Sequence, residues 1–156
     1  MPTHDEARLF ELFLLEPFQA GLSWETVLKK RSAFRRAFDG FNPEKIAAYG
    51  EEKLTELMSD PSLIRNRKKI EAAVNNAAVF ISVSKEWGGF SNYIWHFTNS
   101  KTVYEFDKTS SPLSDAISND LKRRGMKFIG TTVIYAYLQA IGVINSHTPN
   151  CFLFKG

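Results

Sequence analysis

An all-α fold follows from three observations on the 156-residue sequence. Apolar residues recur at helical spacing almost throughout. The 9 Gly and 6 Pro punctuate these periodic segments instead of clustering into a linker. Only one stretch, Thr102 to Phe106, resembles a strand, and it reads as a loop or short extended segment. The length fits one domain over residues 1–156, and 44% hydrophobic with 13% aromatic content supplies its core. One cysteine, Cys151, excludes an internal disulfide framework. No apolar run approaches the ~20 residues of a bilayer span, and no apolar signal-peptide core opens the chain. The expectation is a soluble cytoplasmic globule.

Each element has a local cause. Asp5 is a candidate N-cap for a helix carrying Leu9, Phe10, Phe13 and Leu14 on one stripe. That helix is expected to stop near Glu16, since Pro17 lacks a donor and restricts the residue before it. Ser23 caps a second helix whose apolar positions are Trp24, Val27, Leu28, Phe34 and Phe38. Asn42-Pro43 starts a short helix through Ile46 and Ala47, closed by Gly50, and another covers Glu51 to Met58. After Asp60-Pro61, Ile70, Ala73, Val74, Ala77, Phe80 and Ile81 mark a long helix that stops before Gly88-Gly89. A short aromatic helix follows over Ser91 to Phe97. Leu113 to Arg123 is helical, with Pro112 near its start and Gly125 as a left-handed cap. The last helix runs from about Thr131 to Ile141 and ends at Gly142.

Charge is more informative in its distribution than in its net value of +3. No carboxylate side chain follows Asp120. Residues 121–156 therefore carry five basic side chains and no acid, while residues 1–120, with fifteen basic and seventeen acidic side chains, sum to −2. Two further basic clusters are Lys29, Lys30, Arg31, Arg35, Arg36 and Arg65, Arg67, Lys68, Lys69. Any one cluster alone reads more readily as a solvated helix face, but the asymmetry suggests a surface that meets a polyanion.

Two segments carry candidate chemistry. In Leu121 to Thr132 a helix, the glycine Gly125, a short hydrophobic turn, Gly130 and a new helix start follow one another. A hairpin of this kind presents unsatisfied N–H groups at a helix N-terminus, suited to one phosphate, with Arg123, Arg124 and Lys127 adding attraction. It is equally readable as an ordinary helix–helix corner. In Leu15 to Trp24 a carboxylate (Glu16), an amide (Gln19), Leu22 and Trp24 fall within one junction between helices. An aromatic face with an acceptor carboxylate suits a planar, N–H-bearing or cationic heterocycle, although Trp24 in the core and Glu16 on the surface is the plainer reading. A carboxylate at a helix C-terminus opposes the macrodipole, which is mildly unfavourable without a purpose. Nucleotide loops, redox cysteine pairs and nucleophile elbows are absent from the sequence.

The residues Glu16, Gln19-Ala20-Gly21-Leu22-Ser23-Trp24 and Thr26 to Arg31 resemble the 3-methyladenine DNA glycosylase I family. So do Ile64 to Ile70, Lys122 to Thr132, and the pair His147 and Cys151 in a His-x-x-x-Cys spacing. The runs are in register from about Pro2 to Cys151. The resemblance implies a helix-hairpin-helix glycosylase bundle. Such an enzyme flips a damaged nucleotide from double-stranded alkylated DNA and hydrolyses its glycosidic bond without a cofactor for the chemistry. It implies that Glu16 meets the methylated adenine, as a binding group or an electrostatic stabiliser of the sugar cation, and that Trp24 walls the pocket. Gln19, Gly21 and Leu22 would face DNA, the latter two in the loop that fills the gap left by flipping. Arg124, Gly125, Lys127, Gly130 and Thr131 would grip the phosphate. It further implies a monomer.

The sequence departs from the family at its start. The family's N-terminal segment, with two zinc ligands and aromatic pocket residues, has no counterpart here. His147 and Cys151 are half of the family's zinc site, and two ligands do not close a tetrahedral structural site. Pro17-Phe18 also stands where the family has more polar residues. The alternative reading is therefore a weakened or inactive helix-hairpin-helix module that binds DNA without excising a base.

Overall fold

Short polar caps and glycine stops set the helix ends. The computed structural model describes residues 2–19, 23–63 and 66–146, and for 24, 27 and 28 the backbone alone. Asp5 Oδ1 accepts the Ala7 N–H at 3.0 Å and opens α1 (Glu6–Gln19). Ser23 accepts from Thr26 N at 3.1 Å and opens α2 (Trp24–Ala37). A 3-10 turn at Asp39–Phe41 leads to α3 (Pro43–Ala47), capped by Asn42. Gly50, in extended backbone, does not close α3; it precedes α4 (Glu51–Met58) as its N-cap. Asn66 caps α5 (Arg67–Trp87), which ends at Gly88 with φ +72°, and α6 (Phe90–His96) follows. A reciprocal pair of side-chain bonds between Ser111 and Ser114 opens α7 (Pro112–Arg123), and α8 (Thr131–Ile141) closes at Gly142.

The all-α expectation holds, with one further local correction. Helix α1 does not stop at Glu16; it runs through Pro17 to Gln19. Pro costs about 3 kcal/mol in a helix interior, but only two helical residues follow Pro17 here. The Pro17 carbonyl accepts from Lys69 Nζ at 2.9 Å, and the buried Phe18 packs on Phe34 with ring centroids 5.0 Å apart. Burying one such side chain contributes roughly 1.5–3 kcal/mol, enough to hold the last turn. The short extended segment read at Thr102 to Phe106 is present. Val103–Tyr104 forms β1, paired in parallel with β2 (Ile144–Asn145). The partner strand lies forty-one positions away, and no periodicity records that pairing.

Helix α1 is central, and its stripe is all core. Phe13 meets Tyr137 of α8 edge-on at 5.0 Å, Phe10 meets Phe80 of α5 at 4.9 Å, and Phe80 stacks on Phe90 of α6 at 4.2 Å. The buried Tyr137 hydroxyl donates to Leu9 O at 2.9 Å, and the Glu6 carboxylate accepts the N–H groups of Phe90 and Ser91 at the start of α6. The C-terminal end of α1 and the turn before α8 are thus both fixed relative to α5, one through Lys69 and the other through Asn75 and Asn76. Seven residues of helix, ~10.5 Å, separate Lys69 from Asn76.

Candidate base site and DNA-facing hairpin

The carboxyl group of Glu16 is half-buried in the penultimate turn of α1, and no described residue gives it a hydrogen bond or a countercharge. Desolvation alone raises its pKa from 4.5 to about 7. A group kept this way is poised to change charge near neutral pH, and it is the natural partner for a cationic or N–H-bearing ligand. Gln19 is half-buried as the last residue of α1. Gly21 and Leu22 lie outside the described residues. Trp24 begins α2, but its side chain is outside them too. A cleft of about 440 Å³ elsewhere, lined by Glu6, Glu44, Phe80, Ile81, Ser84 and Lys85 among others, touches neither Glu16 nor the turn before α8.

The hairpin between α7 and α8 is built differently. Gly125 sits just past the end of α7 with φ +105°, a conformation that asks for glycine. Its carbonyl accepts from Asn75 Nδ2 at 2.7 Å. Asn76, 6% exposed, binds both sides of Lys127: its Oδ1 accepts the Lys127 N–H at 2.9 Å and its Nδ2 donates to the Lys127 carbonyl at 2.8 Å. Ser118 Oγ donates to Ile129 O at 2.8 Å, and the hydroxyls of Ser114 and Thr131 lie 2.6 Å apart. Among the described residues no side chain caps α8, and a Cβ on Gly130 would meet nothing within 4 Å. The first N–H groups of α8 therefore adjoin open space, the arrangement that favours an anion. Packing within the protein does not require glycine at 130.

The basic residues divide sharply. Arg124, placed among the phosphate-gripping residues from the sequence, has its guanidinium on Asp120 Oδ2 (2.9 Å) and Glu86 Oε2 (2.6 Å), and it lies over the Tyr93 ring. Arg123 also pairs with Asp120. Burial would raise the Asp120 pKa, but hydrogen bonds from Tyr93, Arg124 and Arg123 bring it down to about 2. Among the described residues neither Lys122 nor Lys127 pairs with a carboxylate, and both are exposed. In the first basic cluster, Arg31 and Arg35, with Arg8, converge on the buried Glu11, while Lys29 pairs with Glu25 and Lys30 with Ser62 O. In the second, Arg67 pairs with Glu51 and Lys69 holds Pro17. Much of the positive charge outside residues 121–156 is thus internally engaged.

The sequence reading missed Asn75, Asn76 and Lys69. A signal existed, since Asn76 stands between Ala73 and Ala77 on the apolar stripe of α5, where a polar side chain needs a partner. The partner itself lies some fifty positions away. His147 and Cys151 lie outside the described residues, and among the described residues no group of three or more His, Cys, Asp or Glu is arranged to hold a metal ion. No described helix is long and apolar enough to cross a membrane.

The model of the methyladenine glycosylase family matches residues 1–154. DNA-3-methyladenine glycosylase 1 of Escherichia coli is 41% identical over 162 aligned positions, covering 100% of this chain and 87% of that protein. The DNA-3-methyladenine glycosylase of Haemophilus influenzae is 41% identical over 156 positions, covering 96% and 84%. Among solved structures, a 3-methyladenine DNA glycosylase I matches with a TM-score of 0.93 at 39% identity, over 99% of this chain and 88% of the other. The Staphylococcus aureus 3-methyladenine DNA glycosylase I, solved for its recognition of 3-methyladenine, matches at 0.91 and 35% identity, over 97% and 84%.

Proposed function

This chain belongs to the methyladenine glycosylase family, and we propose that it does so as a working enzyme, hydrolysing the N-glycosidic bond of 3-methyladenine in alkylated DNA with Glu16 at the base. Water adds to the sugar carbon and gives up one proton to solvent, the bond from that carbon to the base nitrogen breaks, and the base leaves with the bonding electrons as neutral 3-methyladenine, so that an abasic site remains. Methylation at N3 makes the base cationic, hence already a good leaving group. The protein's task is to unstack the nucleotide, which costs a few kcal/mol, and to hold the departing base. No step calls for a cofactor.

The observation that carries this reading is the half-buried Glu16 carboxyl, without a partner among the described residues and with its pKa raised to about 7. A cationic base beside it lowers that pKa again, so binding ionises Glu16 and gains an ion pair in a partly desolvated site. Trp24 walls the pocket, Gln19 faces the strand, and Gly21 and Leu22 fill the gap left by the flipped nucleotide. At the hairpin, the N–H groups at Gly130 and Thr131 take a phosphate, with Gly125 shaping the turn and Lys127 adding charge. Arg124 contributes from behind, by fixing the end of α7 through Asp120. Residues 1–156 act as one glycosylase domain, a monomer in the cytoplasm. Binding tolerates sequence because phosphates position the protein and damage is read at the flipped base.

The test is release of free 3-methyladenine from alkylated duplex DNA, with Glu16→Gln as the paired control. Release by the wild type, lost in the variant at nearly unchanged duplex affinity, supports the assignment. Equal loss of release and affinity would sink the pocket role of Glu16. Duplex binding by the wild type without any release would favour the binding-module reading.

A further inference from the structure

The residue at the tip of the hairpin has a combination of properties that packing does not explain. Phe128 is 45% exposed, one of two exposed large hydrophobic residues among those described, and its φ is +58°. A left-handed backbone is costly for a bulky residue, and glycine or asparagine would adopt it with less strain. An exposed aromatic ring returns little to the core in exchange. The conformation is nevertheless enforced. Lys127 is bound on both sides by Asn76, and the Ile129 carbonyl is held by Ser118 while its side chain is 1% exposed. With the backbone fixed before and after it, Phe128 is held outward, and strain maintained at an exposed site points to function.

The surroundings specify the partner's chemistry. Lys122 and Lys127 are exposed and, among the described residues, unpaired with any carboxylate, and the open N-terminus of α8 begins two residues after Phe128. An exposed apolar ring next to the exposed Lys127 and just before a helix N-terminus matches a nucleic-acid strand, in which charged phosphates alternate with the C–H faces of deoxyribose. We propose that Phe128 is a DNA-contacting residue whose ring packs on a deoxyribose next to the phosphate held at the start of α8. The contact rests on the glycosylase reading above. It adds an uncharged, sequence-independent component to binding, separate from the phosphate grip. Its geometric role is to set how far the strand stands off the hairpin.

The experiment compares wild type, Phe128→Gly, Phe128→Leu and Lys127→Ala for duplex binding across a salt series and for urea unfolding. Glycine relaxes the backbone at 128, so stability is expected to hold or rise while duplex affinity falls about fivefold to tenfold. The slope of log Kd against log salt stays as in wild type for Phe128→Gly and drops by about one for Lys127→Ala. Leucine recovers part of the affinity. Wild-type affinity in Phe128→Gly, alongside a wild type that releases 3-methyladenine, overturns this contact and leaves the enzyme reading standing. Stability and affinity falling together would make the ring a packing element and overturn it equally. A wild type that neither binds duplex nor releases base removes both readings.

Discussion

The hairpin before α8 and the C-terminal end of α1 are both fixed to α5, yet they treat polar groups in opposite ways. At the hairpin the backbone leading into α8 is held by side chains: Asn75 and Asn76 hold 125 and 127, Ser118 holds 129, and Tyr93, Arg123 and Arg124 bring the Asp120 carboxyl down to about pKa 2. At the end of α1, Glu16 is half-buried with no partner among the described residues and stands at about 7. Glu11, five residues earlier on the same helix, is buried against three arginines. Burial therefore does not decide the fate of a carboxylate in this molecule; the supply of partners does. On the function proposed above, the hairpin grips a phosphate, and such a grip needs backbone fixed in advance. Recognition of a charged base needs a group left unsatisfied until the ligand arrives.

That contrast is sharpened first by Glu16→Gln, for which the largest effect is expected. Losing one charge aimed at the reacting base costs about 100-fold in single-turnover release of 3-methyladenine, with duplex affinity within about twofold since phosphates dominate it. Retained release would put the unsatisfied carboxyl outside the chemistry. Glu11→Ala should behave as the mirror image. It strands Arg8, Arg31 and Arg35 around a vacated site, and at their partial exposure this costs about 2 kcal/mol in urea unfolding, discounted from the fully buried case. Release per folded molecule should change little. A loss of release at unchanged stability would mean the two glutamates are not functionally distinct.

The hairpin half is broken by Asn76→Ala, which leaves the N–H and carbonyl of Lys127 without their partners. About 1–2 kcal/mol of stability should be lost, and affinity should fall severalfold for damaged and undamaged duplex alike, because the grip and not the base site is disturbed. Titrating both duplexes checks this. Selective loss on damaged DNA would tie Asn76 to the base site and erase the division of labour.

Much of this was legible in the sequence where the cause is local. Asp5, Ser23 and Asn42 read as caps, Gly88 and Gly142 as stops, and each does that job. Glu16 stood out because a carboxylate at a helix end opposes the dipole, and Gly125 and Gly130 because their spacing brackets a turn. What escaped depends on partners distant along the chain. The proline rule failed at Pro17 because Lys69 and Phe34, contributed by α5 and α2, hold the last turn of α1. The first basic run reads as a solvated helix face because the buried Glu11 that takes up Arg31 and Arg35 lies twenty positions before Arg31. The clamp of Asn76 on Lys127 spans fifty-one positions, and no periodicity records such a pairing.

The smallest expected effect uses pH to separate the two halves through stability alone. The folded-state pKa of Glu16 is raised to about 7 from 4.5, so the folded protein holds this proton more tightly than the unfolded chain does. Between those values the unfolded chain has released the proton and the folded one has not, so stability falls as pH rises through the window, and the loss is complete above about 7. Asp120 has the opposite sign. Its folded pKa near 2, against 3.8, contributes stability that is present above 3.8 and lost only as pH falls through that lower range. Between pH 5 and 8 Asp120 is therefore silent and Glu16 is not. Urea unfolding of wild type and Glu16→Gln should show the variant gaining on the order of 1 kcal/mol relative to wild type between pH 5 and pH 8. A stability difference that does not change with pH would mean that Glu16 has a partner in solution, and the contrast with the hairpin would collapse.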